Sequence, residues 1–205
     1  MTADIEGAVS AVPHLSWLEG QLHQEVAARK RLVESAIQLT STFDRDKLLQ
    51  LIMSSATELL DAETSSLMLV DEDTSELVIA VATGAVGPKA ERQRIPIEAG
   101  IAGWTLANRQ AAVVNDPMSD GRHFPGIGET LQFVTRNLLA VPMLVKDRAI
   151  GVVEVINKRN DTEFTERDTE LATAFASLAA IAIDNANLYS QLADAVVTAR
   201  MSYRL

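Results

Sequence analysis

The sequence contains no cysteine among its 205 residues. Without a thiol the chain can form no disulfide bond, no thiolate metal site and no thioether link to a pigment, and it has no thiol nucleophile. Basic residues are also scarce, because 18 Lys and Arg stand against 28 Asp and Glu, for a formal net charge of −10. This acidic balance argues against nucleic acid or an anionic membrane surface as the main partner.

Long apolar runs are missing as well. The richest one, residues 171–183, is interrupted by Thr173 and Ser177 and is too short to cross a bilayer. The N-terminus carries Asp4 and Glu6, where a signal peptide would carry Lys or Arg. With 47% hydrophobic and 22% charged residues, the chain can still bury a real core. We therefore expect a soluble, cytoplasmic protein built around one substantial domain, with no membrane partner.

Residues 1–40 are predicted to be an extension followed by a coiled-coil-like helix. Apolar residues fall on one heptad track there, namely Leu15, Leu18, Leu22, Leu32, Ala36 and Leu39. After a break at residues 41–44, Asp44 is a good N-cap for a second helix from Lys47 to Leu60.

The middle of the chain, residues 65–158, has the pattern of β-strands. We expect strands at 65–70, 76–81, 93–97, 111–114, 138–145 and 150–156, with a short helix from Gly100 to Asn108. The glycine-rich segment 84–89 lacks the spacing of a phosphate-binding loop and is interpreted as a hairpin loop. The last two strands are almost continuously apolar, which indicates central strands covered on both faces. Antiparallel pairs with helices at both ends predict an α+β layered domain.

A long helix is predicted from Glu166 to about Arg204. Strict heptad spacing is held by Leu171, Ala174, Leu178, Ile181, Asn185, Leu188, Leu192, Ala195 and Ala199. The first half of such a helix can pack on the sheet, while the second half needs another partner. Its polar member, Asn185, either fixes the register of a coiled coil or is a buried Asn bonded to backbone.

The sequence carries no recognisable catalytic constellation. No Gly-x-Ser-x-Gly elbow and no His-Glu-x-x-His motif occurs. Asp116, Asp120 and His123 share a polar segment and could form a metal or acid/base set, but no second histidine lies near them. A long loop held by Asx-turns is the better interpretation. We therefore predict no catalytic residue, no metal ligand and no enzymatic activity.

Five segments occur in an order that resembles GAF domains: Ile95–Ile97 with Gly100–Gly103, Val114–Asp116, Arg122–Phe124, Thr135–Pro142 and Ile150–Lys158. The resemblance covers about residues 44–188 and looks closest to the branch found in cyclic-nucleotide phosphodiesterases and bacterial adenylyl cyclases. It implies a six-stranded antiparallel sheet with helices on both faces. In that family one face and the flanking helices form a parallel dimer, and the other face closes over a small-molecule pocket.

The same branch has an Asn-Lys…Phe…Asp-Glu signature, in which a Lys–Asp ion pair ties the last strand to the final helix. Asn157, Lys158, Phe164 and Asp168 match it, and Thr169 stands in the Glu position. A carboxylate in the first turn of a helix also suits the helix dipole. The resemblance thus implies a structural clasp between Lys158 and Asp168; a loose surface pair is the alternative.

Pocket residues carry over from the resemblance only in part. Six positions match the lining of cyclic-nucleotide-binding members: Ser66, Ile101, Ala102, Phe124, Thr135 and Glu154. Gly128 and Leu131, however, replace a carboxylate and a hydroxyl that read the nucleotide in that branch, which weakens discrimination. Cyclic nucleotide remains one ligand hypothesis. Covalent bilin, and the reductase activity of GAF enzymes on free methionine sulfoxide, both need the absent cysteine, and haem would have only His123 as an axial ligand.

The resemblance and the helix patterns together predict a bacterial regulator with three parts: residues 1–40, a GAF domain at 41–190 and a signalling helix continued at 191–205. We expect a homodimer that joins through its N- and C-terminal helices, binds a small molecule, and signals to an output domain outside this chain. The alternative is a structural dimerisation module with a degenerate pocket.

Overall fold

The computed structural model describes residues 45–84, 87–122, 124, 128, 130 and 132–202, together with isolated helical positions between 17 and 34. Side chains of the last helix are described up to Leu192. The predicted N-terminal heptad track, the predicted cap Asp44 and the haem candidate His123 lie outside the described residues.

The described chain is a sheet with helices before, between and after its strands. Its elements are α1 (Arg45–Leu59), β1 (Ala62–Asp71), β2 (Glu76–Ala82), α2 (Gly87–Ala90), β3 (Arg94–Pro96), α3 (Gly100–Asn108), β4 (Ala112–Val114), β5 (Leu138–Val145), β6 (Arg148–Lys158) and α4 (Glu166–Ser202). The glycine-rich segment after β2 leads to β3, which pairs antiparallel with β2 as expected of a hairpin, and the connection contains the short helix α2.

The six strands form one antiparallel sheet in the order β3-β2-β1-β6-β5-β4. The long strands β1 and β6 lie at its centre, and the three-residue strands β3 and β4 form the two edges. The two predicted hairpins, β1–β2 and β5–β6, are both present. The expected α+β fold with a six-stranded antiparallel sheet is confirmed.

One face of the sheet is closed by α1 and the first half of α4. Phe175 of α4 and Leu48, Ile52 and Met53 of α1 are almost completely buried there. The neighbouring buried residues on α4 are small: Ala176, Ala179 and Ala180 are also fully buried. Small side chains let the helix backbone approach the sheet closely, and each large apolar side chain buried contributes about 1.5–3 kcal/mol. We call this the helix-side core.

Most residues of the heptad stripe of α4 lie outside the helix-side core. Ile181, Leu188 and Leu192 are about half exposed, at 49%, 56% and 62%, and Ala174 and Asn185 are exposed as well. Because α4 is apolar on more than one side, the sheet takes the alanine-rich face and leaves the leucine stripe on the outside. The first half of α4 thus packs on the sheet as expected, but through its alanine-rich face and not through the heptad track.

Within the described chain, the part of α4 from Glu166 to Leu192 is long and apolar enough to cross a membrane by length and composition. A core helix of a soluble protein passes the same test, and the alanine-rich face of α4 is buried under the sheet. The packing of that face against the sheet accounts for the apolar residues on one side of α4.

The opposite face of the sheet carries a second apolar cluster, covered by α2 and α3. It includes Met68 of β1, Ile79 of β2, Val152 of β6 and Ile101 of α3. These elements cover the sheet incompletely. The uncovered part of this face, which we call the cavity side, holds the site described next.

Candidate functional site

A cavity of about 860 Å³ opens between the cavity side of the sheet, the first turn of α3 and the loops that connect β4 to β5. Cavities of this size accommodate drug-sized or cofactor-sized molecules. Its wall is mainly apolar, with hydroxyl groups from β1 and one carboxylate on the floor.

The floor is built by three neighbouring strands. Glu154 of β6 pairs in register with Ser66 of β1 on one side and with Ala140 of β5 on the other. Both neighbours are small, so they leave open space beside the glutamate side chain. The Ser66 hydroxyl donates a long hydrogen bond of 3.4 Å to Glu154 Oε2.

The surroundings of Glu154 disfavour its charge. The side chain is half-buried at the cavity wall. Its desolvation raises its pKa to about 7, an effect that the Ser66 hydrogen bond partly offsets. Near neutral pH the carboxyl group therefore exists in both protonation states. It can accept hydrogen bonds when ionised and donate one when protonated.

The first turn of α3 forms another wall and depends on two glycines. Gly100 has φ +71°, and a Cβ there would lie 2.9 Å from the Cβ of Phe124. A Cβ at Gly103 would lie 2.4 Å from the carbonyl carbon of Glu98. These close approaches explain the spacing of the Gly-Ile-Ala-Gly motif. The same turn places Ile101 and Ala102 at the cavity. The backbone N–H groups at the start of a helix have no partner within the helix, so they are available to a ligand.

The mouth of the cavity is apolar and exposed. Met118, Phe124 and Val134 all line the cavity, yet they remain 85%, 45% and 74% exposed. Large apolar side chains around an opening are typical of a binding site whose occupant covers them.

The loop that carries Met118 is held against α3 by a charged side chain. The Arg122 guanidinium lies 4.6 Å from the ring centroid of Trp104 and donates to both carboxylate oxygens of Asp120, at 2.9 and 2.6 Å. The stack and the ion pair fix the loop above the cavity. Asp116, earlier considered for a metal set, accepts the Met118 N–H at 3.2 Å as an ordinary loop contact.

All six positions taken from the sequence line the cavity: Ser66, Ile101, Ala102, Phe124, Thr135 and Glu154. Whether they bind a ligand stays a prediction. Sequence reasoning missed two further residues of the cavity wall, Thr64 of β1 and Thr83, which follows β2. The Thr64 hydroxyl donates a hydrogen bond to the Thr83 carbonyl at 2.7 Å. The signal available was the hydroxyl run 64–66 in an otherwise apolar strand.

The signature residues gather at the junction of β6 and α4. Lys158 Nζ forms an ion pair with Asp168 Oδ2 and lies 5.6 Å from the centroid of the Phe164 ring. The same carboxylate oxygen accepts the backbone N–H and the hydroxyl of Thr165, each at 2.8 Å, while Thr165 Oγ1 accepts the Asp168 N–H. Asp168 thus closes a capping box that the sequence analysis overlooked.

Asn157 has a separate role in this region. It is buried in a left-handed conformation, with φ 59°. Its side chain accepts the Arg136 N–H at 2.8 Å and donates to the Val134 carbonyl and to Glu63, both at 3.1 Å. Asn157 therefore anchors the segment that forms the rim of the cavity, whereas Phe164 lies in the helix-side core.

Metal chemistry has no visible support in the described chain. Among its residues, no group of three or more His, Asp and Glu side chains is placed to hold a metal ion.

Comparison with known proteins adds a family and relatives. The sequence model of the GAF domain matches residues 43–184. A probable 3′,5′-cyclic phosphodiesterase pde-5 of Caenorhabditis elegans is 25% identical over 189 residues, which cover 85% of this chain and 26% of that protein. The cone cGMP-specific 3′,5′-cyclic phosphodiesterase subunit alpha′ of Mus musculus is 32% identical over 88 residues, covering 43% of this chain and 10% of that one.

Among solved structures, the GAF domain of a phosphoenolpyruvate-protein phosphotransferase from Coxiella burnetii superposes with a TM-score of 0.72 at 17% identity, covering 80% of this chain and 96% of that one. At that identity the likeness concerns the fold alone. The chain spans only about a quarter and a tenth of the two phosphodiesterases that it matches.

Proposed function

This chain belongs to the GAF domain family, and from that premise we propose that it is a non-catalytic sensory module. It binds a small molecule on the cavity side of its sheet and passes the signal through α4 to an output domain. The observation that carries the proposal is the cavity itself, a space of about 860 Å³ with an unpaired carboxylate on its floor and an exposed apolar rim. A concave space of this size with a mainly apolar wall and a few polar groups is typical of a small-molecule site.

Signal transmission is supported by the position of α4. The helix begins beside the Lys158–Asp168 ion pair, at the end of the strand whose Glu154 lies on the cavity floor. A change at the cavity can therefore reach α4 through one continuous strand. The second half of α4 extends away with an exposed apolar stripe, which suits a helix that pairs with another copy and continues toward an output domain.

The proposal includes a cytoplasmic homodimer. The leucine stripe of α4, with Leu188 and Leu192, would be covered by the same stripe of a second copy. The phosphodiesterase relatives suggest the kind of output domain, and cyclic nucleotides are one ligand class that the proposal admits. Catalysis would belong to the output domain.

Mass spectrometry of freshly purified protein tests the proposal. Native and denaturing spectra are compared, followed by thermal unfolding with a panel of cyclic nucleotides, nucleosides and amines. A co-purified small molecule, or a ligand that raises the melting temperature, is expected. A clean, ligand-free dimer that responds to no compound would favour the structural dimerisation module with a degenerate pocket.

A further inference from the structure

One charged side chain lies on the cavity floor without an opposite charge beside it. Among the described residues, no ion pair includes Glu154, and its hydrogen bond to Ser66 is long, at 3.4 Å. The flanking residues on the same face of β6, Val152 and Ile156, are apolar and belong to the cavity-side cluster. Glu154 is therefore an isolated carboxylate in the middle of an apolar sheet face.

The rest of the described wall does not compensate for this charge. No Lys or Arg side chain is among the described residues that line the cavity. The other carboxylate there, Asp120, is already paired with Arg122, and α3 carries no titratable side chain at all. In the described part of the wall, Glu154 is thus the source of net charge, and the protein as a whole carries −10.

A half-buried carboxylate without a charged partner lowers stability when it is ionised, and an apolar residue of similar size at this position would not. A titratable group of this kind in a cleft is a candidate for a functional residue. At the wall of a cavity, a ligand can supply the missing partner. The partner of an ionised carboxylate is a hydrogen-bond donor, and the strongest donors are cationic nitrogen groups.

Resting on the proposed function, we infer that the ligand carries a cationic nitrogen group, an ammonium, amidinium or guanidinium, which pairs with Glu154 and Ser66 at the cavity floor. An apolar or aromatic body contacts Phe124 and the other rim residues. The N–H groups in the first turn of α3 are available for a neutral oxygen of the same molecule. An anionic ligand finds no basic side chain on the described wall and is disfavoured by the negative charge of the protein.

Such a ligand binds the ionised form of Glu154. Its affinity is therefore highest above the carboxyl pKa of about 7 and falls as the pH is lowered through it, by up to about tenfold per pH unit. A ligand that accepts a hydrogen bond from the neutral carboxyl group, which keeps its proton, would show the opposite trend.

A charge series on one aromatic ring tests the inference. Naphthalene-2-carboximidamide, naphthalene-2-carboxamide and naphthalene-2-carboxylate differ in charge while sharing the same body. Their binding to the full chain is measured by calorimetry at about pH 8, together with cyclic GMP and guanosine. We expect the amidine to bind at least about tenfold more tightly than the amide, and the carboxylate to bind most weakly.

Two variants test whether the preference for the amidine depends on the carboxyl group of Glu154. Glu154→Gln keeps the shape of the side chain and should reduce amidine affinity by about tenfold or more while changing amide affinity by less than about threefold. Glu58→Gln removes one exposed carboxylate from α1 on the opposite side of the sheet and serves as the charge-matched control. It should leave both affinities unchanged.

The outcomes separate the inference from the proposed function. Tighter binding of the carboxylate or of cyclic GMP than of the amidine would overturn the inference and leave a small-molecule sensor in place. Equal loss of amide and amidine affinity in Glu154→Gln would also overturn it, because the variant would then have damaged the cavity and not the charge pairing. If none of the five compounds binds and no molecule co-purifies, the inference and the proposed function both fail.

Discussion

The two faces of the sheet differ in how completely they are covered. On the helix side, α1 and α4 bury large apolar side chains such as Phe175 and Ile52 completely. On the cavity side, the apolar cluster around Met68 and Val152 gives way to hydroxyls and to the carboxyl group of Glu154. Both faces belong to the same strands, so every residue of β1 and β6 contributes to one face or the other.

The two faces therefore have different roles within one sheet: the helix side contributes mainly to folding stability, and the cavity side is proposed to bind the ligand. The helix side buries large apolar side chains completely, and the loss of a methylene group there destabilises the protein. The cavity side has a concave space and an acid with no charged partner on the described wall, which the proposed function assigns to a ligand. The contrast leads to predictions about where substitutions affect unfolding and where they affect binding.

Truncation of one phenylalanine on each face should show the largest contrast. Phe175→Ala removes a ring that is 1% exposed, and we expect a loss of about 3–5 kcal/mol in the free energy of unfolding. Phe124→Ala removes a ring that is 45% exposed at the cavity mouth, and the loss should be below about 1 kcal/mol, with weaker ligand binding. Urea unfolding measures both, and equal losses would contradict the division between the faces.

Substitution of Glu154, the half-buried acid on the cavity floor, should change the pH dependence of stability. The pKa of Glu154 is about 7 in the folded protein and near 4.5 in the unfolded chain. The contribution of this carboxyl group to the free energy of unfolding is therefore complete below pH 4.5 and is lost as the pH rises through 7. In Glu154→Gln this pH-dependent loss of stability is absent, because the glutamine side chain does not ionise.

Between about pH 5 and about pH 8, the stability of the Gln variant should therefore rise relative to the parent by roughly 2–3 kcal/mol. Urea unfolding at both pH values gives the comparison, with Glu58→Gln as the control. A constant difference across this range would mean that Glu154 titrates normally.

The junction that links the two faces to α4 should show a smaller, coupled effect. Asp168→Ala removes an ion pair and a helix cap, and we expect a loss of about 2 kcal/mol. Lys158→Ala removes only the ion pair and should lose about 1 kcal/mol. In a double-mutant cycle the losses should fall short of additivity by about 1 kcal/mol, whereas strictly additive losses would show that the two side chains do not interact.

The outer stripe of α4 should affect assembly with almost no effect on folding. Leu188→Asp with Leu192→Asp changes exposed residues, so the free energy of unfolding of the domain should move by less than about 0.5 kcal/mol. Sedimentation should nevertheless show a dimer for the parent at tens of micromolar and a monomer for the variant. A monomeric parent, or a variant that dimerises equally well, would refute the proposed dimer.

Regular patterns in the sequence were sufficient to predict most of the fold. The period-2 strands and the glycine-bounded helix α3 follow from local signals, and the six cavity residues came from the family resemblance. The face of α4 that meets the sheet did not follow, because alanine and leucine are both apolar and only the close approach of the sheet selects the alanines. The helix α2 was missed since its four residues, Gly87–Ala90, lack helical periodicity.

The isolation of Glu154 could not be predicted from its position in the sequence. An acid between Val153 and Val155 is equally compatible with a solvated strand edge or with a salt bridge across the sheet. What isolates it is the register that places Ser66 and Ala140 on either side, together with the absence of a basic side chain from the described cavity wall. These are long-range relations that no local pattern contains.

Carbon-13 NMR of the Glu154 carboxyl group shows whether the cavity side keeps an unpaired acid for a ligand. Glu154→Gln identifies the resonance, and its titration is recorded with and without naphthalene-2-carboximidamide at saturation. We predict a pKa of about 7 in the free protein, falling by about one unit or more in the complex. An ordinary pKa near 4.5 in the free protein, or a raised pKa that the amidine does not change, would show that Glu154 does not pair with a cationic ligand.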